Sequence, residues 1–272
     1  MGICDSKKDF EDNYDVTSTI YRGNSSHIMT CKHKKTHQIK IVKYYNSSFK
    51  RKANLPSNEI EMFKKIKTSK TSHLLKSEGI YEDVHGIYIV CPYYKHDLFT
   101  VVQTSGRFKL NTVISYLKQL IEGLTVIHEN GYIHGDLSPE NILVSSDKNN
   151  VVICDYGMIK KIGKIYPKCI LGIGKYGYIP PEFIRRTSME ITEKQDIYPL
   201  GVITYIMIYG SPMYAKFGDI WFDTYHSSAY TFPSDFPVCV QQIVRNMTNI
   251  DPELRPTLKE IKTSLHFIEK LI

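Results

Sequence analysis

The spacing of apolar residues changes character near Pro92, and that change constrains the fold more than any single residue does. Before it, Gln38 to Tyr44 and Gly86 to Cys91 partly alternate and are rich in β-branched and aromatic residues, which predicts strands. Between them, Ser57 is placed to cap a helix over 58–66 with Ile60, Phe63 and Ile66 on one face. After Pro92 the patterns lengthen. Val113 to His128 predicts a helix turning Ile114, Leu117, Ile121, Leu124 and Ile127 inward, and further helices are expected near 195–209, 237–248 and 257–270. Two short apolar runs, 142–144 and 151–154, flank a turn-rich stretch over 145–150. The expected architecture is α+β. A tail over 1–13 precedes a small β-rich lobe over 14–92, which joins a larger helical lobe over 93–272, with a ligand cleft between them.

Composition narrows the class. With 42% hydrophobic and 23% charged residues among 272, the chain is globular rather than disordered. Its longest apolar stretch, Leu200 to Tyr209, is shorter than the ~20 residues a membrane helix needs. The first residues lack the apolar core of a secretory signal. Six scattered cysteines, without metal-ligand spacing, predict reduced thiols and a cytoplasmic location. The net charge is +7, and residues 1–91 hold 16 basic groups against 10 acidic ones. An acidic partner, an anionic membrane surface or simply a solvated lysine-rich face would account for that excess. Basic and acidic residues are interleaved and no nucleic-acid motif appears, which argues against nucleic acid as a partner.

The densest chemistry lies in His134-Gly135-Asp136-Leu137-Ser138-Pro139-Glu140-Asn141, with Asp155-Tyr156-Gly157 beginning fourteen residues after Asn141. Transfer of a phosphoryl group from a nucleotide needs oxygen ligands for Mg²⁺, a grip on the phosphates and a carboxylate to orient the attacking hydroxyl. Asn141 and Asp155 suit the metal, and Asp136 suits the hydroxyl. In these residues the chain resembles the eukaryotic protein kinases, whose two-lobed fold matches the change in periodicity. An Asp-rich loop with a capping Asn would be the structural alternative.

The resemblance implies further roles. Lys43 matches the strand lysine that holds the α- and β-phosphates of ATP, and Glu59 the helix glutamate that pairs with it; a charge-assisted bond would fix a floppy ammonium. Ile20, Gly23, Ile28, Ile41 and Leu143 would line the nucleotide site, with Cys91 at its back. The Pro92 carbonyl and Tyr94 amide would meet adenine. Asp97 is placed either to accept from the ribose or to cap a helix. Tyr178 to Glu182 resembles the end of an activation segment, Asp196 the start of the central helix, and Arg255 the arginine that pairs with Glu182. The likeness runs over 14–270. ATP, Mg²⁺ and a protein substrate are therefore expected. The loop Leu-Ser-Pro-Glu-Asn is nearer to serine/threonine kinases than to tyrosine kinases.

Departures from the family carry information too. Of its glycine-rich phosphate loop only Gly23 survives between Tyr21 and Ser26, and Ile41 adds bulk above the adenine site. These features favour a pseudokinase acting as an interaction module; the full set of Lys43, Glu59, Asp136, Asn141 and Asp155 favours an active enzyme. Ser138 stands where such kinases carry a lysine and Lys175 where they carry a threonine, so a swap is expected in which Lys175 supplies the cation and Ser138 the hydroxyl near Asp136; two unrelated losses would be the alternative. Gly135 replaces the arginine that in many kinases receives an activation-segment phosphate, and residues 156–181 contain no Ser or Thr. Activity without Ser/Thr phosphorylation of that segment is the expectation. Finally, Met1 to Ser6 fits an N-myristoylation pattern, with Gly2 as acceptor and Cys4 available for a second acyl chain, which predicts a membrane tether.

Overall fold

A computed structural model describes residues 10–23, 26–47, 57–171, 174–175, 177–211 and 231–271. They form two compact units. The first comprises the described residues up to Lys70 with Leu74–Tyr94, and the second comprises Thr71–His73 with the described residues from Lys95 onward.

In the first unit α1 (Phe10–Asn13) leads into β1 (Tyr14–Arg22), β2 (His27–His33), β3 (Ile39–Asn46), α2 (Ser57–Ile66), β4 (Gly79–Glu82) and β5 (Gly86–Pro92). The strands make one antiparallel sheet in the order β1-β2-β3-β5-β4. Strand β5 lies between two partners and is buried from Gly86 to Cys91, which explains its unbroken apolar run. On one part of the sheet Phe10 stacks on Tyr14 and Tyr88, with ring centroids 5.3 and 4.6 Å away, over Cys31, Val42 and Val90. Helix α2 corrects the sequence reading in its inner face. The buried residues are Glu59, Met62, Phe63 and Ile66, with Ile60 only half-buried. The face is rotated because Glu59 turns inward to meet side chains of β3.

The second unit runs β6 (His96–Asp97), α3 (Leu98–Ser105), α4 (Leu110–Glu129), β7 (Tyr132–Ile133), β8 (Ile142–Val144), β9 (Val151–Ile153), β10 (Lys160–Lys161), β11 (Ile165–Pro167), α5 (Lys168–Leu171), α6 (Pro181–Arg185), β12 (Ser188–Glu190), α7 (Lys194–Tyr209), α8 (Val238–Met247) and α9 (Leu258–Leu271). All five residues expected on the inner face of α4 are buried there. Helix α7 is buried on every side from Gln195 to Ile208, so it forms the centre of this unit, with α8 and α4 against it. Strand β8 pairs with β6 and β9, and β10 pairs with β7, placing Lys160 opposite Ile133. These short ladders hold both ends of the loop that contains Asp136. Among the described residues no helix is long and apolar enough to cross a membrane. Cys31, Cys91, Cys154, Cys169 and Cys239 are free thiols.

Candidate active site

In the first unit the predicted residues gather on and around β3. Lys43 faces Ile28 of β2 and Ile89 of β5 across the sheet, and Ile41 faces Cys91. The Lys43 ammonium lies 3.0 Å from Glu59 Oε1, and the carboxylate is buried. Tyr45, two residues on and therefore on the same face of the strand, donates its hydroxyl to Glu59 Oε2, while the Lys43 ammonium lies 5.5 Å from the centre of its ring. Burial, reinforced by the Glu59 charge, raises the Tyr45 pKa far above the usual phenol range, so the hydroxyl remains a donor. Tyr45 was not foreseen; its place two residues after Lys43 was the available signal. Cys91 is buried and its thiol is likewise pushed up by burial. Pro92 and Tyr94 are half-buried, as are Ile28 and Ile41, whereas Ile20 is 58% exposed. The Gly23 amide donates to the Ser26 carbonyl at 2.9 Å. Asn24 and Ser25, between them, fall outside the described residues, as do Gly2 and Cys4.

In the second unit the loop after β7 is fixed from several directions. Asp196, at the N-terminal turn of α7, accepts from the His134 amide at 2.7 Å, the Gly135 amide at 3.1 Å and His128 Nε2 at 2.9 Å. Burial alone would raise its pKa, but these bonds and the nearby imidazoles hold the carboxyl below its ordinary value. The buried His134 ring takes the Asp136 amide on Nδ1 at 3.3 Å and reaches the Cys154 carbonyl with Nε2 at 3.0 Å, which sets the proton on Nε2. His134 therefore ties the Asp136 loop to the strand end that presents Asp155.

Asp136 is gripped as well. Its Oδ1 accepts from the Lys175 amide at 3.2 Å, its Oδ2 from Asn141 Nδ2 at 3.2 Å, and its carbonyl from the same Nδ2 at 2.7 Å. Burial pushes the Asp136 carboxyl up; the neighbouring His134 imidazole opposes this, Asp155 adds to it, and the two hydrogen bonds oppose it again. With its amide nitrogen turned to Asp136, Asn141 keeps its side-chain oxygen for another partner. Asp155 adopts the left-handed φ of +64° and accepts from the Gly157 amide at 3.2 Å. A non-glycine residue held there stores about 1–3 kcal/mol of strain, a feature that clusters at functional sites. Hard oxygen donors from Asn141 and Asp155 fit Mg²⁺, whose remaining ligands would be phosphate and water. Among the described residues no group of three or more His, Cys, Asp or Glu gathers to hold a metal.

Other predicted residues take less expected positions. Lys175 reaches Asp136 through its backbone, while its ammonium pairs with Glu140 and lies 5.7 Å from the centre of the Phe99 ring. Ser138 is buried and its carbonyl accepts the Asn141 amide at 3.0 Å. Asp97 is the N-cap of α3, accepting from the Thr100 amide at 2.7 Å and the Thr100 hydroxyl at 3.1 Å, the capping alternative that the sequence left open. Leu143, half-buried, sits opposite Asp97 in the β6–β8 ladder. Glu182 and Arg255 form a buried pair with two bonds of 2.7 Å.

Comparison with known proteins places this geometry. A family model described as the protein kinase domain matches residues 14–267. The serine/threonine-protein kinase DCLK3 of Mus musculus is 25% identical over 266 residues, which cover 93% of this chain and 32% of that protein. The probable serine/threonine-protein kinase fhkC of Dictyostelium discoideum is 27% identical over 264 residues, covering 91% and 43% respectively. Calcium-dependent protein kinase 34 of Arabidopsis thaliana is 30% identical over 199 residues, covering 70% and 37%. The chain thus spans less than half the length of these relatives.

Proposed function

Because this chain belongs to the protein kinase domain family, we propose that it transfers the γ-phosphate of ATP to serine or threonine hydroxyls of protein substrates. The observation that carries the reading is the hold on Asp136: one carboxylate oxygen on the Lys175 amide, the other on Asn141, and a neighbouring Asp155 aimed by a strained backbone. Lys43, fixed by Glu59, binds phosphate oxygens. Asp136 accepts the hydroxyl proton as the substrate oxygen bonds to the γ-phosphorus and the bond to the β–γ bridging oxygen breaks, releasing ADP. Asn141 and Asp155 would hold Mg²⁺, which would neutralise charge on the phosphates. With Gly135 and a segment free of Ser and Thr, the activity is independent of Ser/Thr phosphorylation there. The Gly2 and Cys4 pattern belongs to the same reading as a membrane tether; absence of an alkyne-myristate label that Gly2→Ala would abolish removes that part.

The test is transfer of labelled γ-phosphate from Mg-ATP to a generic protein substrate, with Asp136→Asn and Asp155→Asn alongside. Label on serine or threonine that both substitutions abolish is the expected result. The single glycine left in the phosphate loop favours a second reading, an interaction module that binds partners without transfer. Label no greater than in the two variants would favour that module.

A further inference from the structure

Gly135, next to Asp136, has a φ of +75°, and a Cβ there would fall 2.6 Å from the Met158 carbonyl oxygen and 3.1 Å from Lys160 Nζ. The space in which a side chain at 135 would begin is filled by the segment that follows Asp155. What fills it is a lysine only 1% exposed. Its ammonium donates to the Met158 carbonyl at 3.3 Å and lies 5.6 Å from the centre of the Phe183 ring of α6. Burial lowers the Lys160 pKa, while the negative charges of Asp196 and Asp136 favour its charged form. Strand β10 also pairs Lys160 with Ile133, just before the loop. Residues 133–135 are thus held by Asp196 from α7 and by pairing with β10, and the buried cation lies beside Gly135.

We infer that Lys160 is a positioning residue whose buried ammonium, seated against Gly135, fastens the start of the 156–181 segment to the Asp136 loop without any modification of that segment. The inference rests on the kinase reading. A segment is commonly ordered by a phosphate that pairs with arginine. Here a cation supplied from within reaches the same loop, and the glycine is what gives it room.

The experiment compares the full chain with Lys160→Met, which keeps length and removes charge, and Lys160→Arg, which keeps charge. Both kcat and nucleotide affinity are measured, and phosphate on the segment is mapped by mass spectrometry. The expected result for Lys160→Met is a kcat at least about tenfold lower, as for loss of an electrostatic support, with nucleotide affinity unchanged and Lys160→Arg closer to wild type. Wild-type kcat in Lys160→Met overturns the inference. So does a joint loss of kcat, nucleotide affinity and thermal stability, which marks packing alone. If Lys160→Met does not fold, the wild-type chain decides. A full rate after phosphatase treatment, with the segment mapped phosphate-free, supports the inference, whereas a rate that tracks phosphate on Tyr156, Tyr166, Tyr176 or Tyr178 overturns it. A wild-type chain that transfers nothing overturns the kinase reading first, and this inference with it.

Discussion

Breaking the Glu182–Arg255 pair should destabilise the second unit more than any surface change would. Every donor of the guanidinium is used. Nη1 and Nη2 each reach a Glu182 oxygen at 2.7 Å, Nε reaches the Asn249 carbonyl at 2.8 Å, and the remaining protons reach the Lys194 and Ile250 carbonyls at 3.0 and 3.3 Å. The Tyr198 ring lies 5.1 Å from the guanidinium carbon. Arg255→Met would leave the Glu182 carboxylate buried with the Gln195 amide at 3.3 Å as its remaining hydrogen-bond donor. Removing one partner of a buried pair costs about 3–5 kcal/mol. For a unit of this size that is a fall in melting temperature of about 6–20 °C, at ~2–4 °C per kcal/mol. Far-UV circular dichroism on heating reads it directly. The double variant Arg255→Met/Glu182→Leu removes both charges and should recover part of the loss, though three carbonyls stay without their donor. Glu182 lies in the first turn of α6, downstream of the segment that presents Lys175, so turnover should fall as well. A shift below about 3 °C in Arg255→Met, or a double variant no better than the single one, would refute the reasoning.

Tyr45→Phe takes the hydroxyl from Glu59 and should weaken nucleotide binding about fivefold, the equivalent of ~1 kcal/mol; unchanged affinity in a calorimetric titration would show the hydroxyl to be idle. Lys175→Met should lower kcat roughly ten- to a thousandfold if its cation serves the transferring phosphate; if Glu140→Gln matches that loss while Lys175→Met does not, the cation has no such part. Because the folded Asp196 carboxyl sits below its ordinary value, its stabilisation is present above the unfolded carboxyl pKa of about 3.9 and is lost as pH falls through the folded value. Denaturant midpoints of wild type should therefore decline in acid more steeply than those of Asp196→Asn, and parallel declines would assign the effect to other groups.

Much of the fold was legible where burial leaves a mark on the residue types. Helix α4 buries one face at regular spacing, while β5, buried along nearly its whole length, reads as a β-branched and aromatic run. Strands β1 and β2 were not foreseen, and β1 shows why. Eight of its nine residues are exposed, so no apolar alternation marks it, and register shifts between Val16 and Ser18 and between Thr19 and Tyr21 break the period of two. Helix α3 is legible only at its start, through the capping alternative at Asp97, because its eight residues are too short for a clear helical period.

The site divides along a similar line, between what chain spacing records and what only packing decides. Ile28 lies fifteen residues before Lys43 in sequence, and the β2–β3 register sets the two side by side, so that spacing carries spatial information. Glu182 and Arg255, 73 residues apart, were paired through the family likeness alone, because nothing local to either residue reports the other. Lys160 had no signal of either kind: beside Lys161 it reads as half of an ordinary surface dipeptide. Its burial follows from the β7–β10 pairing and from the room left at Gly135. The direction of the Lys175 ammonium was equally invisible, since the same backbone placement beside Asp136 would permit a bond to Asp136 or to Glu140. Two positive groups thus bear on one short loop, Lys160 against Gly135 and Lys175 on Glu140, while Asp136 itself accepts from neutral donors only. Among the described residues that arrangement leaves the Asp136 carboxylate without an ion pair to lysine or arginine, which suits the proton acceptance proposed for it, since such a pair would oppose it by stabilising the ionised form.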